Sequence, residues 1–318
     1  MKQSTVVIVI IISLILFNSC GKKTNPVGPN YSQEWTLVSS GLPTNNYILA
    51  FAISGTNIFA GTGNGVFLST NTGTNWSVVN LPSMYNSYFA FAVSGTNIFA
   101  GNYGLGVFLS TDNGSSWTLC DNGFTYNASY FITALAISGM NVCAGTEIGL
   151  FLSTNNGANW NAANSSMYYP INAFAVSGTN IFAGTYEFGA FLSTDNGTNW
   201  KAVNNGFTGH FSNYVNAFVV SNTDLFAGTG NGVFLSTDNG ASWNAANSGL
   251  ENIIVKSLAI SDMNLFAGTD SCGVFLSTNN GKSWTNIGLK NNSVNALLIY
   301  GSNLFAGTQS GEVWRLEL

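Results

Sequence analysis

A thirteen-residue phrase and an eight-residue box alternate along this chain, and their repetition constrains the fold more than any other feature. The phrase is a variant of Ala-Phe-Ala-Ile-Ser-Gly-Thr-Asn-Ile-Phe-Ala-Gly-Thr and occurs seven times. Six copies are followed by Ser-Thr-(Asn/Asp)-x-Gly-x-x-Trp, here called the box, at residues 69–76, 110–117, 153–160, 193–200, 236–243 and 277–284. The box tryptophans are 40 to 43 residues apart. A period near 40 residues that contains several short strands is typical of a β-propeller blade.

Each repeat contains four apolar runs separated by Gly, Asn or Thr clusters, which we interpret as strands a, b, c and d of one small antiparallel sheet. In the first repeat these runs are 49–54, 57–62, 65–70 and 76–79. Strand a alternates small and large apolar residues, as in Ala50, Phe51 and Ala52, so it is apolar on both faces. Such a sheet needs a neighbour on each side, and radially arranged blades provide one.

The last repeat, residues 294–318, contains strands a, b and c but no box and no fourth strand. The missing strand is at the other end of the chain, where Trp35-Thr-Leu-Val matches the fourth strands that begin at Trp76 and Trp117. Two complementary fragments favour a closed ring over an open solenoid, which would need capping repeats. The sequence therefore predicts an all-β, seven-bladed propeller of four-stranded antiparallel blades over residues 34–318, with the last blade closed by the N-terminal strand.

Residues 1–20 have the layout of a secretory leader, with Lys2, an apolar stretch over 6–17 and then Cys20. The apolar stretch is too short to span a bilayer comfortably. The leader resembles a bacterial lipoprotein signal, although Phe-Asn-Ser precedes the cysteine instead of a Leu-Ala-Gly sequence. We expect lipidation at Cys20, a polar tether over 21–33, and an exported protein anchored in the bacterial cell envelope, at the outer membrane or cell surface. An uncleaved anchor or a plain secretory leader is the alternative.

Composition limits the partners. Charged residues are 7% of the chain and the net charge is −5, so there is no basic stripe to neutralise phosphates and we expect no nucleic-acid partner. We expect a monomer that meets the membrane only through its lipid anchor. The single histidine, His210, cannot supply the two imidazoles usual in His-based metal sites, and we expect no metal and no cofactor. Cys120, Cys143 and Cys272 share no equivalent positions within one blade, so no disulfide is predicted.

The box lies between strands c and d, where an Asx oxygen can accept backbone N–H groups, glycine can adopt a positive φ and tryptophan can cover the hairpin. The third box position is Asp or Asn in equal numbers, at Asn71, Asp112, Asn155, Asp195, Asp238 and Asn279. A neutral amide evidently serves as well as a carboxylate. We therefore interpret this residue as a structural hydrogen-bond acceptor, and not as a catalytic or cation-binding group.

With six tandem boxes related to Ser-x-Asp-x-Gly-x-x-Trp, the chain resembles the BNR/Asp-box repeat β-propeller family. That family includes sialidases, xyloglucanase-like glycosidases, sortilin-type receptor domains and photosystem II stability factor-like proteins. The resemblance implies a propeller, but its members perform different functions on one scaffold. The sialidases hold the substrate carboxylate with three arginines, whereas this chain has one, Arg315, which excludes a conventional sialidase.

In propellers the b–c and d–a connections share one rim, opposite the boxes. Tyrosines and two acids vary between repeats at this rim, and we predict that they bind a ligand: Tyr103, Tyr126, Tyr130, Glu147, Tyr168, Tyr169, Tyr186 and Glu187. Tyrosine combines a large apolar face with a hydroxyl and loses little rotamer entropy, which suits recognition of protein or sugar. Tyrosines that merely cap the blades are the alternative, above all Tyr88 and Tyr214, which adjoin strand a.

The sequence favours a binding or scaffold module for a protein or glycan partner over an enzyme. A glycoside hydrolase is the second hypothesis. It needs two carboxylates about 5 to 10 Å apart across a cleft, and the candidates are Glu147, Glu187 and Asp270. An envelope assembly factor resembling the photosystem II stability factors is the third.

Overall fold

Seven four-stranded antiparallel sheets form the fold, and each is built from one sequence repeat. The structure is a computed structural model that describes residues 34–81, 87–124, 131–163 and 167–318. In blades 1 to 6 the strands follow chain order from a to d, so short hairpins join neighbours. The a strands of successive blades adjoin one another, and that of blade 7 also adjoins that of blade 1, which closes a ring. The predicted seven-bladed propeller is confirmed.

Twenty-eight strands make up the blades in the described residues. Blades 1 to 3 contain β2 Ile48–Ser54, β3 Asn57–Thr62, β4 Gly65–Ser69, β5 Ser77–Val79; β6 Tyr88–Ser94, β7 Asn97–Asn102, β8 Gly106–Ser110, β9 Thr118–Cys120; and β10 Ile132–Ser138, β11 Asn141–Thr146, β12 Gly149–Ser153, β13 Asn161–Ala162. Blades 4 to 6 contain β14 Ile171–Ser177, β15 Asn180–Thr185, β16 Ala190–Ser193, β17 Lys201–Ala202; β18 Val215–Ser221, β19 Asp224–Thr229, β20 Gly232–Ser236, β21 Asn244–Ala245; and β22 Val255–Ser261, β23 Asn264–Thr269, β24 Val274–Ser277, β25 Thr285–Gly288. Blade 7 contains β26 Val294–Tyr300, β27 Asn303–Thr308, β28 Val313–Glu317 and β1 Thr36–Leu37.

Blade 7 joins the two ends of the ring. Strand β1 pairs antiparallel with β28, with Thr36 opposite Arg315. The next residue extends the pairing, because Val38 donates its N–H to the carbonyl of Val313 at 2.8 Å. The N–H of Val313 in turn donates to Ser39 Oγ at 2.8 Å. These hydrogen bonds connect segments 274 residues apart in the sequence and replace the hairpin that joins strands c and d elsewhere.

Strand b is deeply buried in every blade, since five of its six residues are buried in all seven copies. In the six blades that precede a box, its third residue packs against the box glycine of the following blade. A Cβ on Gly157, for example, would lie 2.7 Å from the ring of Phe99. Cys143 takes this place in blade 3 and faces Gly197 in the same way, fully buried. The glycine of the box is thus required by close packing between blades, where an added methyl group has no room.

The tryptophan before strand d also links blades. In five blades its indole N–H donates to a carbonyl in, or directly after, strand d of the preceding blade, at 2.7 to 3.0 Å. We call this hydrogen bond the latch, and its donors are Trp35, Trp76, Trp160, Trp243 and Trp284. A glycine with positive φ ends or follows strand d at each latched junction, at Gly288, Gly41, Gly123, Gly206 and Gly249. Trp117 and Trp200 donate instead to a glycine carbonyl of their own box, and no glycine follows strand d at those two junctions.

Each box is a turn held by its own side chains. In all six boxes, Oδ1 of the third residue accepts a hydrogen bond from the hydroxyl of the first serine at 2.8 to 3.0 Å. The same atom accepts the backbone N–H of the seventh residue at 2.8 to 2.9 Å. The fourth residue has a φ of 55 to 58°, in the left-handed region, which Asn tolerates well. Aspartate and asparagine therefore share the Oδ1 acceptor and its two donors, and Oδ2 of each aspartate additionally accepts a hydrogen bond from the side chain of the seventh residue.

The predicted signal over 1–20, its Cys20 and the tether over 21–33 lie outside the described residues and stay predictions. No segment that the structure describes forms a helix with the length and apolar character that a membrane crossing needs.

Replacement of Gly41 tests the junction between blades 7 and 1. Gly41 has a φ of 91°, and a Cβ there would overlap the carbonyl oxygen of Trp76. Gly55 has a φ of 60°, but nothing lies within 4 Å of its added Cβ. We expect Gly55→Ala to lower the free energy of unfolding by about 1–2 kcal/mol, and Gly41→Ala to lower it by about 2–3 kcal/mol more, because the clash between blades adds to the same conformational cost. Denaturant unfolding measures both, and equal losses would contradict the packing described.

The box of blade 4 allows carboxylate and amide to be compared directly. Asp195→Asn keeps the Oδ1 acceptor and loses only the exposed hydrogen bond from the Asn199 side chain to Oδ2, and we expect a change of less than about 0.5 kcal/mol in the free energy of unfolding at neutral pH. Asp195→Ala leaves the hydroxyl of Ser193 and the N–H of Asn199 without their acceptor, and we expect a loss of about 1–2 kcal/mol. Chemical denaturation of the two variants measures the difference. If both were destabilised alike, the negative charge and not the acceptor would be what the turn needs.

The box aspartates should also make stability depend on pH. Hydrogen bonds from the side chain and backbone of Ser116 lower the pKa of Asp112 from 3.8 to about 2, and equivalent bonds from the seventh box residue lower the pKa values of Asp195 and Asp238. A carboxyl whose pKa is lower in the folded state stabilises the fold above its unfolded pKa and loses that contribution as the pH falls through the folded pKa.

We therefore expect the unfolding temperature to fall as the pH is lowered from 3.8 towards about 2. A variant with asparagine at Asp112, Asp195 and Asp238 should fall less over the same range, because its boxes no longer take up protons. Scanning calorimetry across this range measures both proteins. Parallel curves would show that these boxes do not contribute to the acid response.

Candidate functional site

The connections between strands lie on two opposite faces of the ring. On one face, here called the loop face, the b–c and d–a connections of each blade adjoin. In six blades the first N–H after strand b donates to the carbonyl of the residue before strand a, at 2.9 to 3.1 Å. On the other face, here called the box face, the a–b turns adjoin the boxes, as where Asn156 donates its N–H to the carbonyl of Met140 at 3.0 Å.

Exposed apolar side chains concentrate on the loop face. Ten large apolar residues are exposed in the described part of the chain. Six belong to loop-face connections: Tyr47, Tyr103, Ile148, Tyr168, Phe188 and Phe211. The remaining four lie on outer strands or a–b turns: Leu37, Val78, Met140 and Met263. A group of exposed apolar residues on one face is typical of an interaction surface.

Among the predicted ligand-binding residues, Tyr103 lies in the b–c connection of blade 2. Its ring stacks on Phe131 with centroids 3.9 Å apart and lies 6.2 Å from Phe89. The side chain is still 41% exposed. Phe131 and Phe89 were not among the predicted residues, although Phe131 directly precedes strand a of blade 3 and Phe89 is the second residue of strand a in blade 2. Tyr126 and Tyr130, which were predicted beside Tyr103, lie outside the described residues.

The neighbouring tyrosines Tyr168 and Tyr169 behave differently from each other. Tyr168 is 69% exposed, and no ring contact or hydrogen bond is found for it among the described residues. Tyr169 is half-buried and stacks on Phe188 at 3.9 Å and on Phe191 at 5.7 Å. Tyr169 therefore supports the exposed Phe188, while Tyr168 is free to meet a partner.

Tyr186 and Glu187 lie next to Tyr214 of the following blade. The Tyr214 hydroxyl donates to Glu187 Oε1 at 2.9 Å. The Tyr214 ring meets Tyr186 edge to face at 4.6 Å and Phe211 at 5.0 Å. Burial, followed by the hydrogen bond to Glu187 and its negative charge, raises the pKa of Tyr214 to about 12. We call Tyr169, Tyr186, Phe188, Phe211 and Tyr214 the aromatic strip, and it runs across blades 4 and 5.

Glu147 lies in the b–c connection of blade 3 and is exposed. Partial burial raises the pKa of its carboxyl. No hydrogen bond or ion pair to Glu147 is found among the described residues. The adjacent Ile148 is 46% exposed. An acidic group thus lies beside an exposed aliphatic side chain with no cation to balance it.

Asp270, the third candidate acid, is in different surroundings. Its Oδ1 accepts a hydrogen bond from Ser293 at 2.7 Å and forms an ion pair with Lys256 at 3.1 Å. Burial acts to raise the pKa of Asp270, but the Ser293 hydrogen bond and the Lys256 charge outweigh it, and the pKa is lowered. No contact in the described ranges joins Asp270 to Glu147 or Glu187. The three acids thus lie in separate blades, and in the described ranges a side-chain partner is found for Glu187 and Asp270 but not for Glu147.

Sequence reasoning missed a ring of residues at the loop-face end of the a strands. Every a strand has a β-bulge at its second residue. The bulge residues are Leu49, Phe89, Thr133, Asn172, Asn216, Lys256 and Asn295. Several donate to the first a-strand carbonyl of the next blade, as Asn216 does to Val255 at 3.0 Å and Asn295 to Ile48 at 3.2 Å. The ring is polar in blades 3 to 7 and apolar in blades 1 and 2. The sequence signal that could have revealed these residues is the second position of strand a, which changes from apolar to polar between repeats while its neighbours stay nearly constant.

Two further features can be placed. A polar depression of about 200 Å³ lies at the box-face end of blade 7, lined by Glu34, Thr36, Asn303, Arg315 and Glu317. It is on the other side of the ring from the predicted ligand-binding residues. Within the described ranges, no group of three or more His, Cys, Asp or Glu side chains could hold a metal ion.

Comparisons with known proteins define the fold. No protein-family profile and no curated protein sequence matches the chain. A solved structure of YCF48 bound to D1 peptide superposes with a TM-score of 0.72 at 14% identity, over 93% of this chain and 100% of that one. The extracellular domain of BT4673 from B. thetaiotaomicron superposes at 0.72 and 15% identity, over 90% of this chain and 40% of that one. The GH74 enzyme of Niastella koreensis gives 0.65 at 17% identity, over 85% and 43%. These likenesses establish a propeller architecture shared by proteins with different roles.

Proposed function

We propose that the protein is a lipid-anchored, extracytoplasmic propeller that acts as a binding or scaffold module for a protein or glycan partner through its loop face. The observation that carries the proposal is the concentration of exposed aromatic side chains on that face, led by Tyr168 and Phe188. Aromatic residues supply large contact areas with few rotatable bonds and are enriched where binding energy is concentrated. Apolar ring surface in contact with water is unfavourable, and a partner that covers it would recover that free energy.

Two further points support this proposal. Residues 1–20, ending at Cys20, resemble a bacterial lipoprotein signal, which implies export and lipidation. Among the similar structures, one is bound to a peptide and another is an extracellular domain. An envelope assembly factor would be one form of such a binding module. No specific observation favours a glycosidase. The carboxylate of Glu187 accepts a hydrogen bond from the Tyr214 hydroxyl, and that of Asp270 forms an ion pair with Lys256.

Capture of partners by the full-length protein tests this function. The variant Tyr168→Ala/Phe188→Ala/Phe211→Ala removes three exposed aromatic side chains from the loop face. We expect it to bind partners from the envelope fraction of the producing organism, or glycans on an array, at least about tenfold more weakly, a loss of about 1.4 kcal/mol. Quantitative pull-down and array binding provide the measurement.

A matched control changes three exposed apolar residues outside the loop face, as Val78→Ala/Met140→Ala/Met263→Ala. It should retain the partners of the unmodified protein, because these side chains lie on an outer strand and two a–b turns. Circular dichroism confirms that both variants are folded. Unchanged capture by the loop-face variant would refute the assignment of the binding surface.

A further inference from the structure

We propose that the loop face of blades 3 to 5 binds a protein segment through its lysine or arginine side chains, which Glu147, Glu187 and the aromatic strip receive. This inference rests on the function proposed above and specifies the chemistry of the partner. It follows from three observations: the charge of this sector, the surroundings of Glu187 and the surroundings of Glu147.

The first observation is a one-sided charge. The loop-face connections between residues 121 and 231 contain three carboxylates, Asp121, Glu147 and Glu187, and neither lysine nor arginine. On the same face, blades 6 and 7 carry Lys256 and Lys290. Charges at a surface act over about one Debye length, roughly 8 Å at physiological ionic strength. Lys256 is already paired with Asp270, so it leaves the negative charge of blades 3 and 4 to an incoming partner.

The second observation is the position of Glu187. The backbone of Glu187 has a φ of 76°, a left-handed conformation that non-glycine residues adopt at an energetic cost. One carboxylate oxygen accepts the Tyr214 hydroxyl, and no cation among the described residues pairs with the group. The rings of Tyr186 and Phe211 lie against Tyr214, and the exposed Phe188 follows directly in sequence. Glu187 can attract a cation by its charge, and the neighbouring aromatic side chains offer ring faces for cation–π interaction.

The third observation is Glu147. Glu147 is exposed in the b–c connection of blade 3, and no hydrogen bond or ion pair to its carboxyl is found among the described residues. An incoming ammonium or guanidinium group would therefore meet an accessible carboxylate without displacing a cation of the described chain. The exposed Ile148 beside it offers an apolar surface to the methylene groups of lysine or arginine.

Asp270 shows the same chemistry already satisfied within the chain. Lys256 and Ser293 contact its carboxylate directly. The two acids of blades 3 and 4 occupy the corresponding b–c connections without an internal cation. Blade 6 supplies the cation, Lys256, from its own a strand. In the proposed complex a partner supplies the cations for blades 3 and 4.

Two matched peptides test the proposal with the full-length protein. One is acetyl-Gly-Ser-Arg-Gly-Lys-Gly-Arg-Ser-Gly-amide, and the other has glutamine at its three basic positions. We expect the basic peptide to bind at least tenfold more tightly at low ionic strength, by fluorescence anisotropy, and to weaken as salt is added. Glu187→Gln and Glu147→Gln should each weaken its binding at least threefold, and the double variant at least tenfold.

The control variant is Asp262→Asn. It removes one negative charge from an a–b turn on the box face, at a φ of 54° that asparagine accepts readily. It should keep the affinity of the unmodified protein. A loss as large as that of Glu187→Gln would mean that net charge alone attracts the peptide, and would overturn the proposed site.

The remaining outcomes separate this inference from the function itself. If both peptides bind equally and Phe188→Ala weakens both, the loop face is a binding face but the cation preference is wrong. If a neutral xyloglucan oligosaccharide binds and the basic peptide does not, the partner is a glycan and the inference is again wrong. If no probe binds, the inference fails, while the envelope capture experiment decides the proposed function independently.

Discussion

Pairing of β1 with β28 is the constraint on which the rest of the molecule depends. A strand of only two residues, from the start of the described chain, supplies the fourth strand of the last blade. Its flanks reach both neighbours: Trp35 donates to Ile287 of blade 6, and the backbone of Trp76 in blade 1 donates to Ser40. This segment therefore completes one blade and two junctions. Only a closed ring has a continuous loop face, so that face depends on this contact.

Residues that repeat in every copy and residues that vary between copies lie in different parts of the fold. Repeated residues are found in strand b, where the third side chain meets the next box glycine, and in the box turn, where Oδ1 has two fixed donors. Such positions tolerate few residue types. Positions that vary between copies lie in the loop-face connections and at the bulge of each a strand. The side chains proposed to bind a partner lie at positions that the packing of the ring does not fix.

Sequence reasoning reached the fold because a 40-residue period, a split last repeat and strand-length apolar runs admit few architectures. It reached the tyrosines of the loop face less completely. Tyr214 was expected to pack beside strand a, yet its hydroxyl also donates a hydrogen bond to Glu187. Asp270 was grouped with two other acids, yet it pairs with Lys256. Lys256 occupies a bulge, which shifts the alternation of side chains by one residue, and a simple period of two does not reveal such a shift. Stacking partners such as Phe131 and Phe188 depend on contacts between connections that no local pattern encodes.

The latch is not distributed evenly around the ring, and this has a consequence for how the surface can change. Five junctions fix both an indole and a positive-φ glycine, whereas Trp117 and Trp200 turn back into their own boxes. The chain that leaves blades 1 and 3 therefore does not have to supply a carbonyl for the latch or a glycine with positive φ. One of these two segments presents Tyr168, the most exposed aromatic residue described. Insertions and new side chains at these two connections would therefore leave the latch hydrogen bonds of the other five junctions intact.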